Sequence, residues 1–153
     1  MSEISIDDIT SKELVALDME VEDQEAVISA LADLLDQDGR LSDRETYLEA
    51  VLAREQETGG TAFEMGIAIP HAKSSGVSQA GVAFGRTSSP LDYGEEKADL
   101  IFLIAAPEGE HNLHVKVLQQ LARRLMHDSF RSALREVSDP EQAVELMREQ
   151  IST

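Results

Sequence analysis

The chain has 153 residues, no cysteine and no tryptophan, and it carries 30 acidic against 13 basic side chains for a formal charge of −17. That length suits a single domain, here 1–153, whose core is aliphatic, since 42% of residues are hydrophobic and only 4% aromatic. Disulfides and thiolate metal sites are excluded, and so strong a negative field repels nucleic acid and anionic membranes, which both need a basic footprint.

The N-terminus, MSEISIDDIT, has neither a basic n-region nor an apolar h-region, so no signal peptide is read. No run approaches the roughly 18 apolar residues that span a bilayer. The expectation is a soluble, cytoplasmic protein without membrane insertion. Arginine outnumbers lysine among the bases. An acidic, lysine-poor surface fits work in high salt, where screening weakens self-repulsion. A merely acidic protein of ordinary salt is the other reading.

In chain order, KELVALDM (12–19) has room for one edge strand. Residues 23–38 place Val27, Ile28, Leu31, Leu34 and Leu35 at helical spacing, with Asp23 as N-cap and Gly39 as the stop. Ser42 and Glu45 stand at capping-box spacing ahead of Tyr47, Leu48, Val51 and Leu52. This second helix is predicted to reach about Gln56, before Gly59-Gly60, with Arg54 near its C-terminal end. Three short apolar runs follow, around 67–69, 82–84 and 100–104, and read as central strands buried on both faces. Residues 86–98, RTSSPLDYGEEKA, read as a loop with at most a short edge strand. A helix is predicted over 112–126, with Leu113, Val117, Leu118, Leu121 and Leu125 along one side. A shorter helix is capped by Asp128, and a last one begins with Asp139 as cap and Pro140 at its first position. Helices, then buried strands, then helices predict an α/β domain, a sheet covered on both faces.

Four histidines carry the chemistry to be weighed. His127 falls after the 112–126 helix, where a cation interacts favourably with the dipole, a structural role. His114 falls in the first turn of that helix, on its apolar side, where the N-terminus favours neutral imidazole and attracts phosphate. It is either a satisfied core residue or part of a site. His71 follows Pro70, which has no N–H for a ladder and is expected to end its strand. The imidazole would then be exposed at a sheet edge, where ligands gather in open sheets. A metal site is not expected, because no HxH or HExxH spacing is present. Ser74 and Ser75 follow His71 in what reads as an ordinary loop, without GxSxG, and GGTAFEMG lacks the spacing of a nucleotide fingerprint, so no cofactor is expected. His71 is left as a candidate nucleophile.

The segment AREQETGGTAFEMGIAIPHAK resembles the active-site region of IIA components of the sugar phosphotransferase system, fructose/mannitol class, nearest the fructose branch. PLDYGEEKADLIFLIAAPEGEHNLHVKVLQQLARRL resembles the same family. The resemblance implies a mixed sheet of about five strands flanked by helices on both faces. It implies that His71 is phosphorylated by HPr and passes the group to a cysteine of a IIB component, which phosphorylates sugar together with the IIC membrane component. His114 would match the family's second active-site histidine, and Arg54 the arginine of an Arg-Glu pair near the phosphoryl group. No metal or cofactor is implied. An apolar patch of Phe63, Met65 and Ile69 would form the docking surface. The chain ends soon after its last helix, so HPr and IIB are expected as separate chains. Two departures stand out: the Arg54–Pro70 stretch is one residue longer than in many relatives, and Glu64 stands where glycine is common. His111 has no clear counterpart and reads as exposed and incidental. A regulatory nitrogen-type IIA protein, or a binding module that has lost phosphorylation, are the rival readings.

Overall fold

The computed structural model describes residues 6–58, 62–63, 65–94, 96–109 and 113–150. A short helix α1 (Ile6–Ile9) and a 3-10 turn (Lys12–Leu14) lead into strand β1 (Val15–Met19), the expected edge strand. Asp23 and Gly39 then bound α2 (Gln24–Gln37) as their chemistry requires. The Asp23 carboxylate accepts from the Ala26 amide at 2.8 Å. Gly39 takes φ +79°, which lets Gly39 N reach Asp36 O and Arg40 N reach Leu35 O, both at 3.0 Å.

The next helix, α3 (Arg44–Thr58), begins one residue later than the capping-box spacing predicts. Asp43 caps it: its carboxylate accepts from the Thr46 amide at 3.2 Å and the Thr46 hydroxyl at 2.8 Å. Ser42 instead donates its hydroxyl to Ser75 O at 3.3 Å. An ionised carboxylate is the stronger acceptor for a helix N-terminus, which explains the shift.

Six strands follow or join: β2 (Ala62–Phe63), β3 (Ile67–Ala68), β4 (His71–Ser74), β5 (Gly81–Tyr93) and β6 (Glu96–Pro107), with β1 at the far edge. The sheet order is β1-β5-β6-β3-β2, and β4 also pairs with β6. Ala68 lies opposite Ile101 and His71 opposite Ile104, so β3 and β4 are halves of one strand in unbroken register. The sheet is thus mixed and five strands wide: β1–β5 and β3/β4–β6 are parallel, β5–β6 and β2–β3 antiparallel.

The predicted 86–98 loop is a β-hairpin arm. β5 continues to Tyr93, and Leu91 pairs with Ala98 after an irregularity in which residues 87–90 face Asp99 alone. The Thr-Ser-Ser-Pro stretch signals a loop, yet the bulge absorbs it, and Leu91, Tyr93 and Ala98 return to the core.

Period-2 alternation divides that core between two faces. Phe84, Leu100, Phe102 and Ile104 pack against α4 (Leu113–Leu125), α5 (Asp128–Glu136) and α6 (Pro140–Gln150) through Leu121, Leu125, Phe130, Leu134 and Met147. Phe84 and Phe102 stack with centroids 4.6 Å apart. On the other face Ala83, Ile101, Leu103 and Ala105 meet α2 and α3 through Ile28, Leu31, Leu35, Tyr47 and Val51. Asp128 is the first residue of α5 rather than its cap: its carboxylate pairs with Arg131 one turn on, and His127 takes the flanking position. Asp139 caps α6 as expected, accepting from the Gln142 amide at 2.9 Å.

Candidate functional site

Pro70 interrupts its strand rather than ending it. Ile69 and Pro70 drop out of the ladder because proline has no N–H, and pairing with β6 resumes at His71. The Pro70 carbonyl is still used, accepting from Ile104 N at 3.0 Å. His71 therefore opens a strand segment, half-buried, instead of standing free at a strand end. Its Nδ1 lies 2.7 Å from the Ile69 carbonyl oxygen. A carbonyl only accepts, so Nδ1 carries the proton, and Nε2 of the neutral ring keeps its lone pair. The break at Ile69-Pro70 makes this contact: it frees the Ile69 carbonyl to meet the side chain two residues on.

Register decides which way the ring faces. His71 pairs with Ile104, whose side chain belongs to the α4–α6 face, whereas Ala72 and its partner Ala105 belong to the α2–α3 face. His71 thus shares a face with α4. β6 ends at Pro107, three residues beyond Ile104, and α4 begins at Leu113, so the first turn of α4 returns at the same end of the sheet. His114 is the second residue of α4. Its side chain lies outside the described residues, as do Glu64, His111 and residues 59–61.

Arg54 lies exposed near the C-terminal end of α3, the helix on the opposite face. Tyr47 of α3, one turn in from the helix start, lies at the level of His71. Its hydroxyl donates to Ile104 O at 2.8 Å. Burial raises that hydroxyl well above its ordinary pKa, so it remains a donor. Sequence reading took Tyr47 for one more apolar contact; the signal was a lone polar-tipped aromatic in an aliphatic stripe. Glu55, beside Arg54, is buried and accepts from Gln24 Nε2 at 3.1 Å.

The loop around the site is built from close approaches. Ser74 is the buried last residue of β4, not a loop residue, and its hydroxyl accepts from Gly76 N at 3.0 Å. Gly76 O in turn accepts from Ser42 N and Asp43 N, tying the loop to the start of α3. Before the site, Arg135 of α5 grips Asp99 through Nε and Nη2, at 2.9 and 2.8 Å, and donates to Met65 O at 2.7 Å. Ile69 is buried in the α4–α6 core and Met65 half-buried, so the expected apolar docking patch is not assembled from Ile69; the Phe63 side chain lies outside the described residues. His127 is exposed between α4 and α5, at the C-terminal end of α4, as its structural reading requires. No helix among the described residues is long and apolar enough to cross a membrane.

The helix-flanked mixed sheet is the fold of solved phosphotransferase-system IIA proteins. The nitrogen regulatory protein IIA-Ntr of Neisseria meningitidis superposes with a TM-score of 0.79 at 30% identity, covering 93% of this chain and 97% of that one. Mannitol IIA of Escherichia coli, solved in complex with phosphorylated IIB, gives 0.75 at 25% identity over 90% and 96%. The sequence model of the family "Phosphoenolpyruvate-dependent sugar phosphotransferase system, EIIA 2" matches residues 8–150, and the chain belongs to that family. Among characterised relatives it is 36% identical to the fructose-specific EIIA component of Haloferax volcanii, over 97% of this chain and 98% of that protein. It is also 35% identical to the fructose-specific EIIABC component of Bacillus subtilis, of which it spans only 23%.

Proposed function

We propose that the protein is a single-domain phosphohistidine carrier for fructose uptake, working in the cytoplasm between HPr and a IIB component that acts with a IIC membrane component. The observation that carries this reading is the 2.7 Å contact of His71 Nδ1 with Ile69 O, which places the neutral ring's proton on Nδ1 and fixes the direction in which Nε2 points. In the reaction, the Nε2 lone pair forms a bond to phosphorus as the bond to the HPr imidazole breaks. Nδ1 keeps its proton on the Ile69 carbonyl throughout. The group then leaves to a thiolate of IIB by the reverse displacement. Such transfers pass through loose transition states, so catalysis rests on positioning and on charge stabilisation at the phosphoryl oxygens. His114, near a helix N-terminus, and Arg54, a permanent cation with planar donors, are the residues proposed for that stabilisation. The likeness to fructose-specific relatives supports fructose as the sugar.

Incubation with phosphoenolpyruvate, enzyme I and HPr is expected to place an acid-labile, base-stable phosphate on the protein. His71→Ala is expected to take up none; labelling equal to wild type would overturn the assignment. His114→Gln is expected to accept phosphate but deliver it to IIB more slowly. The likeness to IIA-Ntr favours one second reading, regulation through the phosphorylation state. A labelled protein that fails to support fructose phosphorylation with membranes bearing IIB and IIC would select it. A protein that takes up no phosphate at all would be a binding module.

A further inference from the structure

One helix differs in charge from the rest of this acidic chain. From His111 to His127, HNLHVKVLQQLARRLMH contains no Asp or Glu, although the chain has 30 of them. Within that stretch α4 carries Lys116, Arg123 and Arg124, all exposed. Elsewhere most arginines are engaged, Arg40 with Asp38, Arg44 with Asp33, Arg86 with Asp18, Arg135 with Asp99 and Arg148 with Asp7, as is Lys97 with Asp92; Lys12 and Lys73 stand singly, whereas α4 gathers three bases on one helix. Among the described residues no carboxylate pairs with Lys116, Arg123 or Arg124. They lie two helical turns apart on the side of α4 away from buried Leu121 and Leu125. Met126 follows at once, 62% exposed, the only large apolar side chain so exposed among the described residues.

We propose that this face of α4 is a docking surface for an acidic protein: the phosphoryl acceptor, presenting carboxylates beside its reactive group. The inference rests on the carrier reading above. Charge complementarity argues for an acidic partner, since bases held free of carboxylates in so acidic a chain are available to another molecule's. The apolar Met126 argues for a protein rather than a polyanion, because protein interfaces are enriched in Met and Arg and poor in Glu and Asp, whereas nucleic acid asks for a broad basic footprint. Position argues for a partner in phosphoryl transfer, and the mannitol IIA solved with phosphorylated IIB points to the acceptor. The first turn of α4 lies at the His71 end of the sheet, the helix is about 20 Å long, and a typical interface of about 800 Å² per partner is roughly 30 Å across. One partner can therefore cover His71 and the basic face together. The net charge repels an acidic partner at distance, so the face acts at contact, setting register and residence time.

The test measures binding of a purified fructose-type IIB component to the wild type and to the triple variant Lys116→Glu, Arg123→Glu, Arg124→Glu. The variant is expected to bind about tenfold or more weakly, as charge reversal at an interface predicts, and Met126→Ser severalfold more weakly. Amide signals of α4 in the wild type are expected to shift on addition of IIB. Equal affinity of wild type and triple variant, or no binding of IIB to the wild type, overturns the proposal. Binding of wild type but not variant to phosphatidylglycerol vesicles or to DNA overturns it too. Labelling of His71 by the small donor phosphoramidate needs no partner, so both proteins should label equally. Failure of the wild type to label would refute the carrier reading, whatever the binding result.

Discussion

Gly66 sits at φ +82°, a conformation L side chains rarely adopt. A Cβ there would lie 2.7 Å from both Arg135 Nη2 and Asp99 Oδ1. Gly66 O accepts from Asp99 N and Leu100 N, so this turn is fastened to β6 at the point where β3 begins. Gly66→Ala is expected to cost about 2 kcal/mol from backbone strain alone, more if the Arg135 grip loosens. A lower urea midpoint at unchanged slope would show it, and an unchanged midpoint would mean the turn relaxes freely. The GIAIPH motif already marked His71 as the residue to examine. The Arg135–Asp99 clamp was not readable, because its members stand 36 positions apart and only the docking of α5 brings them together.

At the scale of elements, a buried hydrogen bond ties α3 to β6 amid apolar packing. Tyr47 is fully buried, and its hydroxyl meets Ile104 O, beside the pairing of Ile104 with His71. Tyr47→Phe keeps the ring and removes the donor. It is expected to destabilise the protein by about 1 kcal/mol, read from thermal or urea unfolding; unchanged stability would mean the bond adds nothing net. Helices with strong caps were legible: Asp23, Gly39 and Asp139 act locally, within one turn of what they terminate. Ser42 and Asp128 misled for the same reason in reverse. Each has a rival within a turn: the Asp43 carboxylate outcompetes the Ser42 hydroxyl as acceptor, and Arg131 takes the Asp128 carboxylate. The hairpin arm at 86–98 was hidden because its loop-like Thr-Ser-Ser-Pro stretch forms a bulge, which only the partner strand makes into sheet.

The whole molecule carries −17 and answers to salt. Raising NaCl from 0.1 to 1 M shortens the screening length from about 10 Å to about 3 Å. Two effects oppose each other. Ion pairs such as Arg148–Asp7 and Lys97–Asp92 weaken, but exposed pairs contribute little. Repulsion among the excess carboxylates weakens too, and it acts across the entire surface. The melting temperature is therefore expected to rise over that range in a scanning calorimetry series; a fall would show that the pairs outweigh the repulsion. Charge, the absence of cysteine, the order of helices and strands, and the Pro-His motif are properties of neighbouring residues or of simple sums. The sequence by itself determined them, and with them the α/β class and the choice of His71. Which ring nitrogen of His71 is free, which face it shares with α4, and which cations remain unpaired depend on contacts between distant segments. Only the tertiary structure decided these, because a carbonyl released by a break in pairing, a parallel register and a missing carboxylate partner exist only once the strands and helices have packed.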